Sequence, residues 1–399
     1  MRLRSTVSIF ARMTALAQAH GALNLAQGLM WLDPDPALLQ IARDTFTREG
    51  SHQYSLPTGD KSLRMAVAAL SEHFFGVSYD PEQEITLTAG ATEGIFTAIM
   101  GLTQPGDHVL FFEPAYDSYL PAIQMAGATP VPIRLHLHPE GVRFPWEALP
   151  ARIDSRTRLL LLNFPHNPTG RTLHPEDVRA LEGLAATYPH LLFVVDEAYE
   201  LMTWHPDPLR EEAVPPLSLR QSPVLRERTV VVGSLGKLVG ATGWRLGYLL
   251  APPTLTEALR TTHQFITFCA PTPLQQAVAQ YLSSHLPERA TYFHQALLER
   301  RRFFVEQLQA HTDLAFIAPE GAYFLLLRIP SPERDTEAAE RLVREGGVAT
   351  IPLSPFYHDG YDPGWLRVCL ARPLEMLEQG ALRLSRAFPG GQSTAHPRE

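Results

Sequence analysis

Lys237 is one of only two lysines among the 34 basic side chains of this 399-residue chain; Lys61 is the other. Arginine can replace lysine wherever a positive charge or a solvated stem is enough, but a guanidinium stays protonated and cannot form an imine. A lysine with a lowered pKa can. Ser234-Leu235-Gly236-Lys237 directly follows the apolar run 229–233, so this amine stands where a buried strand ends and reads as a Schiff-base candidate. Lys61, in Gly59-Asp60-Lys61-Ser62, reads instead as a surface lysine at a helix start.

A lysine imine used with pyridoxal phosphate needs a partner for the pyridinium nitrogen, donors to the ring hydroxyl, a phosphate cradle and an anchor for a substrate carboxylate. Asp196 ends the apolar run of Val194-Val195-Asp196-Glu197-Ala198-Tyr199, where its charge could hold the pyridine nitrogen protonated. The same position also suits a helix N-cap. Tyr199 and Asn167, the latter in His166-Asn167-Pro168-Thr169-Gly170, could donate to the ring oxygen. Read separately, one is an ordinary core tyrosine and the other part of a good turn. Ala89-Gly90-Ala91-Thr92 follows one predicted strand and opens a helix, so its backbone N–H groups form a candidate anion cradle. Ser234 can add a hydroxyl to it and Arg245, in Gly243-Trp244-Arg245-Leu246-Gly247, a planar cation. No lysine-terminated phosphate loop is present, which argues against an ATP site. His136 and His138 could share a strand face, but without further ligands nearby they read as ordinary histidines, and no metal is expected.

Seven short apolar runs must position these groups: 85–88, 108–112, 129–135, 158–163, 191–195, 229–233 and 246–250. Helical segments separate several of them, which implies a mainly parallel sheet covered on both faces. Residues 204–228 are rich in proline and mixed charge and read as a long surface loop. From about Pro287 the pattern changes to a long helix carrying Arg300-Arg301-Arg302, expected as a solvated face, then a run at 323–329, an amphipathic helix from Asp335 and a strand at 365–370. The fold class is α/β: a seven-stranded mainly parallel sheet sandwiched by helices, plus a smaller α+β domain. Residues 1–40 are expected to form an N-terminal arm and part of the small domain, 41–286 the large domain and 287–399 the C-terminal small domain, fraying from about 389.

A net charge of −8 and a pI near 6.1 give no basic surface for nucleic acid or an anionic membrane. No apolar stretch reaches the ~20 residues needed to span a bilayer. Cys269 and Cys369, far apart in apolar surroundings, suit buried free thiols in a reducing, cytoplasmic compartment.

With strand, lysine, cradle and Asn-Pro-Thr-Gly in this order, the chain resembles the class I aminotransferases of fold type I, which are pyridoxal-phosphate enzymes. The resemblance covers nearly the whole length and is strongest to the kynurenine, glutamine and methionine aminotransferase group. It is carried by Asn24-Leu25-Ala26-Gln27-Gly28, Gln53-Tyr54, Gly90-Ala91-Thr92-Glu93, Glu113-Pro114-Ala115-Tyr116-Asp117-Ser118-Tyr119, Asn163-Phe164-Pro165-His166-Asn167-Pro168-Thr169-Gly170, Asp196-Glu197-Ala198-Tyr199, the stretch 234–247 and Leu366-Arg367-Val368.

The resemblance implies that Lys237 is the Schiff-base lysine, Asp196 the pyridinium partner, Tyr199 and Asn167 the ring-oxygen donors and Tyr116 a stacking ring. It also implies that Arg367 forks the substrate carboxylate, helped by Asn167 and the backbone of Gly28. Tyr54 would reach the phosphate of a neighbouring subunit, which makes the active unit a homodimer with shared sites. Read alone, Arg367 would be a routine surface arginine. Two stretches depart from the family: Leu238-Val239-Gly240 replaces the usual Thr-Phe-Ser, and Leu29-Met30-Trp31-Leu32 replaces an aromatic followed by Pro-Asp.

The expected activity is transfer of an amino group from a large neutral or aromatic L-amino acid (methionine, phenylalanine, tyrosine, kynurenine or glutamine) to a 2-oxo acid. Met30, Trp31, Tyr323, Phe356 and Tyr357 would form an apolar wall around the donor side chain. A β-lyase acting on cysteine conjugates or cystathionine, or an aminotransferase for N-succinyl-diaminopimelate, would use the same residues. A non-catalytic regulator on this fold would normally carry a DNA-binding module and would not need Lys237 and Asp196.

Overall fold

The structure is a computed structural model, and it describes residues 8–31, 33–210, 212–287 and 292–388. The expected frayed tail from 389, the first seven residues of the arm and Leu32 lie outside the described residues.

The seven apolar runs form one sheet: β1 (Ile85–Thr88), β2 (His108–Glu113), β3 (Thr129–Arg134), β4 (Thr157–Asn163), β5 (Leu192–Asp196), β6 (Thr229–Gly233) and β7 (Gly247–Leu250). Their order across the sheet is β1-β7-β6-β5-β4-β2-β3. Strand β7 runs antiparallel to both neighbours, and every other pairing is parallel. Successive side chains on a strand point to opposite faces, so a strand covered on both sides must be apolar at every position. Strand β4 shows this: Leu160 and Leu162 join the core on one face, Leu159 and Leu161 that on the other.

A second, antiparallel sheet has the order β8-β9-β11-β10, from β8 (Phe316–Ile317), β9 (Phe324–Arg328), β10 (Ile351–Pro352) and β11 (Trp365–Cys369). The amphipathic helix expected from Asp335 runs Asp335–Arg344. The N-terminal helix Ile9–His20 packs against it, and Leu23–Asn24 pairs in parallel with Val348–Ala349, so the arm is tied to the smaller sheet. Met13, Ala17 and Leu25 accordingly share a core with Leu325, Leu342 and Leu366.

Three expectations are corrected. The triple arginine is not a solvated face, because neighbouring helical residues point about 100° apart. Within helix Tyr292–His311, Arg301 is fully buried and donates to the carbonyl of His205 at 2.7 Å, while Arg300 lies 3.8 Å over the Trp31 ring. The proline-rich stretch is not all surface loop, since Ser218, Leu219 and Arg220 are buried, and Ser218 caps a 3₁₀ turn, Leu219–Gln221. Of the two free thiols only Cys369 is buried, and Cys269 is partly exposed. Lys61 opens helix Lys61–Phe75 as expected, solvent-exposed and 3.4 Å from Glu82.

Candidate active site

Adjacent parallel strands end side by side, and their last residues bring the candidate groups together. Asn163 of β4 is in register with Asp196 of β5, and Asp196 with Val232 of β6, two residues before Ser234. Ligands of open α/β sheets bind off these carboxyl ends.

Lys237 lies on the single turn Leu235–Leu238 that follows β6. Its amine stands 5.0 Å from the centre of the Tyr199 ring, and among the described residues it has no hydrogen-bond or ion-pair partner. Protein surrounds the side chain closely enough that desolvation lowers its pKa, while Asp196 works in the opposite direction and Arg245 adds to the fall. The residue as a whole is only half-buried. The result is a lysine that yields a neutral nucleophile more readily than a fully hydrated amine would.

Asp196 is buried, accepting from Tyr119 Oη at 2.7 Å and from the Ala198 N–H at 3.1 Å. Burial raises its pKa, against the lowering effects of Tyr119, Ala198 and Lys237. The helix N-cap alternative fails, because residues 198–200 form turns and not a helix. A buried carboxylate with no cation bonded to it is costly, and a protonated ring nitrogen would relieve that cost.

Asn163 joins two strand ends. Its amide donates to the Asp196 carbonyl at 2.8 Å, and its oxygen accepts the Asn167 N–H at 2.7 Å. Asn167 in turn accepts from Arg367 at 2.7 Å. Arg367, on β11, also donates to the Ala26 carbonyl at 2.9 Å and lies 4.1 Å over the Phe324 ring. It is 1% exposed, its Nε has no partner, and among the described residues no carboxylate pairs with it. A fully buried guanidinium held by neutral groups fits an arriving carboxylate.

The cradle is built by close approach. Gly90 has a left-handed φ of +86° and opens helix Ala91–Leu102 with no side-chain cap. A Cβ there would lie 2.6 Å from the Arg245 guanidinium, and one on Gly247 would lie 2.6 Å from the Ala91 nitrogen. Free N–H groups at a helix start are thus packed directly against a cation, which fits a phosphate. Tyr116 meets Tyr119 edge-on at 5.7 Å. Ser234, beside Lys237, uses its side chain for no cap.

Tyr199 is buried edge-on to Tyr323, with ring centres 5.3 Å apart. Tyr323 donates on to the carbonyl of Gly28 at 2.9 Å. Phe356 and Tyr357 are buried in the same core, which Met30 and Trp31 flank. Tyr54 is the outlier. It is 83% exposed and touches the Phe268 ring rather than the cradle of its own chain.

The structure accounts for one departure from the family pattern. Gly240 has φ +71° and abuts Phe293, so that a Cβ would sit 2.3 Å from the ring; no serine fits there. Sequence reasoning assigned no role to Tyr119 or Asn163, although both lie in motifs that carried the resemblance. The available signal was Asn163 itself, a polar residue closing an otherwise apolar buried strand.

The family described as aminotransferase class I and II matches residues 21–384. Methionine aminotransferase of Escherichia coli (strain K12) is 37% identical over 380 residues, covering 94% of this chain and 95% of that protein. A probable N-succinyldiaminopimelate aminotransferase of Mycobacterium tuberculosis is 37% identical over 361 residues, 89% of this chain and 87% of that one. An Escherichia coli crystal structure assigned a methionine aminotransferase function superposes with a TM-score of 0.90 at 35% identity, covering 96% and 97% of the two chains.

Proposed function

The chain belongs to the class I and II aminotransferases, pyridoxal-phosphate enzymes of amino-acid metabolism, and from that premise we propose which residues act and which donors they serve. The carrying observation is that, among the described residues, the Lys237 amine has no hydrogen-bond or ion-pair partner and the buried Arg367 guanidinium has no acid. One covalent anchor and one carboxylate anchor define how an α-amino acid would lie.

When bound, pyridoxal phosphate supplies a protonated ring that accepts the electron pair left when the Cα–H bond breaks. Lys237 would hold it and, once released, would take the α-proton from Cα as base and deliver it as acid to the cofactor's C4′; such positioned transfer contributes ~10² to 10⁴-fold. Asp196 keeps the ring nitrogen protonated, Tyr199 and Asn167 serve the ring oxygen, and Tyr116 stacks on the ring. Gly90, Ala91, Thr92, Ser234 and Arg245 hold the phosphate. Arg367 forks the donor carboxylate, with Asn167 and the Gly28 backbone beside it.

The active unit is a homodimer in which Tyr54 completes the partner's phosphate site. Tyr54, Leu56, Phe265 and Phe268 support this as exposed apolar side chains, of which Phe265 is 82% exposed. The cofactor would be bound by residues 41–286, with 1–40 and 287–399 contributing the smaller unit. Two unpaired thiols suit a cytoplasmic setting.

The donor is a large neutral or aromatic L-amino acid. Tyr323, Phe356 and Tyr357 are buried and uncharged, and such a wall desolvates a side chain without pairing a charge. The Mycobacterium tuberculosis relative favours a second reading, N-succinyl-diaminopimelate, whose extra carboxylate would need a further cation. The test is kcat/KM for methionine, phenylalanine, tyrosine, kynurenine, glutamine, aspartate and the succinylated substrate with one fixed oxo acid. Methionine and the aromatic donors are expected to lead. A preference for aspartate by about tenfold, roughly 1.4 kcal/mol in transition-state binding, would contradict the apolar wall.

A further inference from the structure

Residues 196–200 form a turn with two faces. Asp196 and Tyr199 meet Tyr119 and the Lys237 amine. Glu197 and Glu200 point the other way, into the interior, and the guanidinium of Arg220 pairs with both. Arg220 comes from the far end of the proline-rich stretch, and its side chain is fully buried with the Phe75 ring 3.9 Å away. Ser218 adds a bond to Glu197 at 2.5 Å and receives Arg220 Nε at 3.0 Å, while Tyr248 of β7 donates to Glu200.

The backbone alone holds this turn weakly. Its ties beyond the strand are Phe164 N–H to the Asp196 carbonyl, Glu197 N–H to the Val232 carbonyl, Glu200 N–H to the Glu197 carbonyl and Met202 N–H to the Tyr199 carbonyl, and only the first two reach beyond this stretch of chain. Two buried acids spaced three residues apart would repel without the intervening cation. Burial raises the Glu197 pKa to about 7 even beside Arg220.

We propose that Arg220 is a positioning residue: by gripping Glu197 and Glu200 from behind, it fixes at once the two side chains, Asp196 and Tyr199, that face the cofactor. The inference rests on the cofactor roles proposed for those two residues. It gives a buried function to a segment that composition marks as loop. A displacement of about 1 Å at reacting groups can cost ~10²-fold, so the grip matters for catalysis as well as stability.

The experiment uses the full-length enzyme. Arg220→Gln alone leaves two buried acids without their cation and puts folding itself at stake, so the main variant is Arg220→Gln with Glu197→Gln, which removes one acid together with the cation. It is expected to melt cooperatively, to bind added pyridoxal phosphate about tenfold more weakly in titrations of the cofactor-free protein, and to lose kcat by about 10- to 100-fold with donor KM little changed. Affinity and kcat within about twofold of wild type in the folded double variant would overturn the proposal. If that variant does not fold, Tyr248→Phe keeps the ring on which Gly233 packs and removes only the bond to Glu200. The absorbance of the bound cofactor should then titrate at a shifted pH, and an unmoved titration with unmoved kcat would overturn the proposal. Asp196→Asn separates the two levels. If it keeps wild-type cofactor affinity, the site assignment and this inference fall together; if it loses affinity while the Arg220 double variant does not, only the positioning role falls.

Discussion

Arg367 and Asn167 are joined by a 2.7 Å hydrogen bond although they lie 200 residues apart, one on the smaller sheet and one beyond the end of β4. The proposed carboxylate anchor is therefore coupled to the proposed ring-oxygen donor, and through Asn163 to the strand that ends in Asp196.

That coupling sets the expected behaviour of Arg367→Lys. Lysine is a point charge and cannot grip Asn167 and a carboxylate in one plane. Truncating a buried, hydrogen-bonded charge pair costs about 2 to 5 kcal/mol, so kcat/KM for amino-acid donors should fall roughly 30- to 4000-fold. Titration of the cofactor-free protein should show pyridoxal phosphate binding nearly unchanged. An equal loss of cofactor affinity would mean that Arg367 supports the fold rather than the substrate.

Glu197 makes stability depend on pH in a defined sense. Its folded pKa is raised from 4.5 to about 7 by burial, with Glu200 adding to the rise and Arg220 opposing it. Between those two values the folded protein keeps a proton that the unfolded chain has released, so stability falls as pH rises through the window. Glu197→Gln cannot titrate and should lose this slope. Melting midpoints of wild type and variant should converge or cross toward pH 7, and parallel curves across pH 4.5 to 7 would show that Glu197 does not carry the effect.

Tyr54 is expected to act across a subunit boundary. Mixing inactive Lys237→Ala with inactive Tyr54→Ala protomers should restore some activity, because a hybrid dimer contains one intact site. A protein that sediments as an active monomer would remove the basis for this role.

Much of the frame was legible because its signals are local. Runs of β-branched and leucine residues such as 229–233 and 158–163 announce strands covered on both faces, and the glycines at 90 and 247 mark close approaches. Lys237 stood out by chemistry, as one of two lysines in an arginine-rich chain. What was not legible depends on distant partners. Tyr119 reaches Asp196 from 77 residues away and Glu320 accepts from His174 across 146, and neither pairing leaves a local pattern. Arg220 was hidden for another reason: proline and charge around it describe an exposed loop, while its own burial is set by two glutamates more than 19 residues earlier in the chain. Arg301 was misjudged because charge alone does not say which face of a helix a residue occupies, and backbone carbonyls can satisfy a buried guanidinium.

The central claim is that Lys237 is the residue that carries the cofactor, and the presence of only one competitor, Lys61, makes it directly testable. The purified enzyme should be yellow and bleach with borohydride, and peptide mapping of the reduced protein should find the pyridoxyl group on Lys237 with Lys61 unmodified. A label on Lys61, or on neither lysine, would contradict the account.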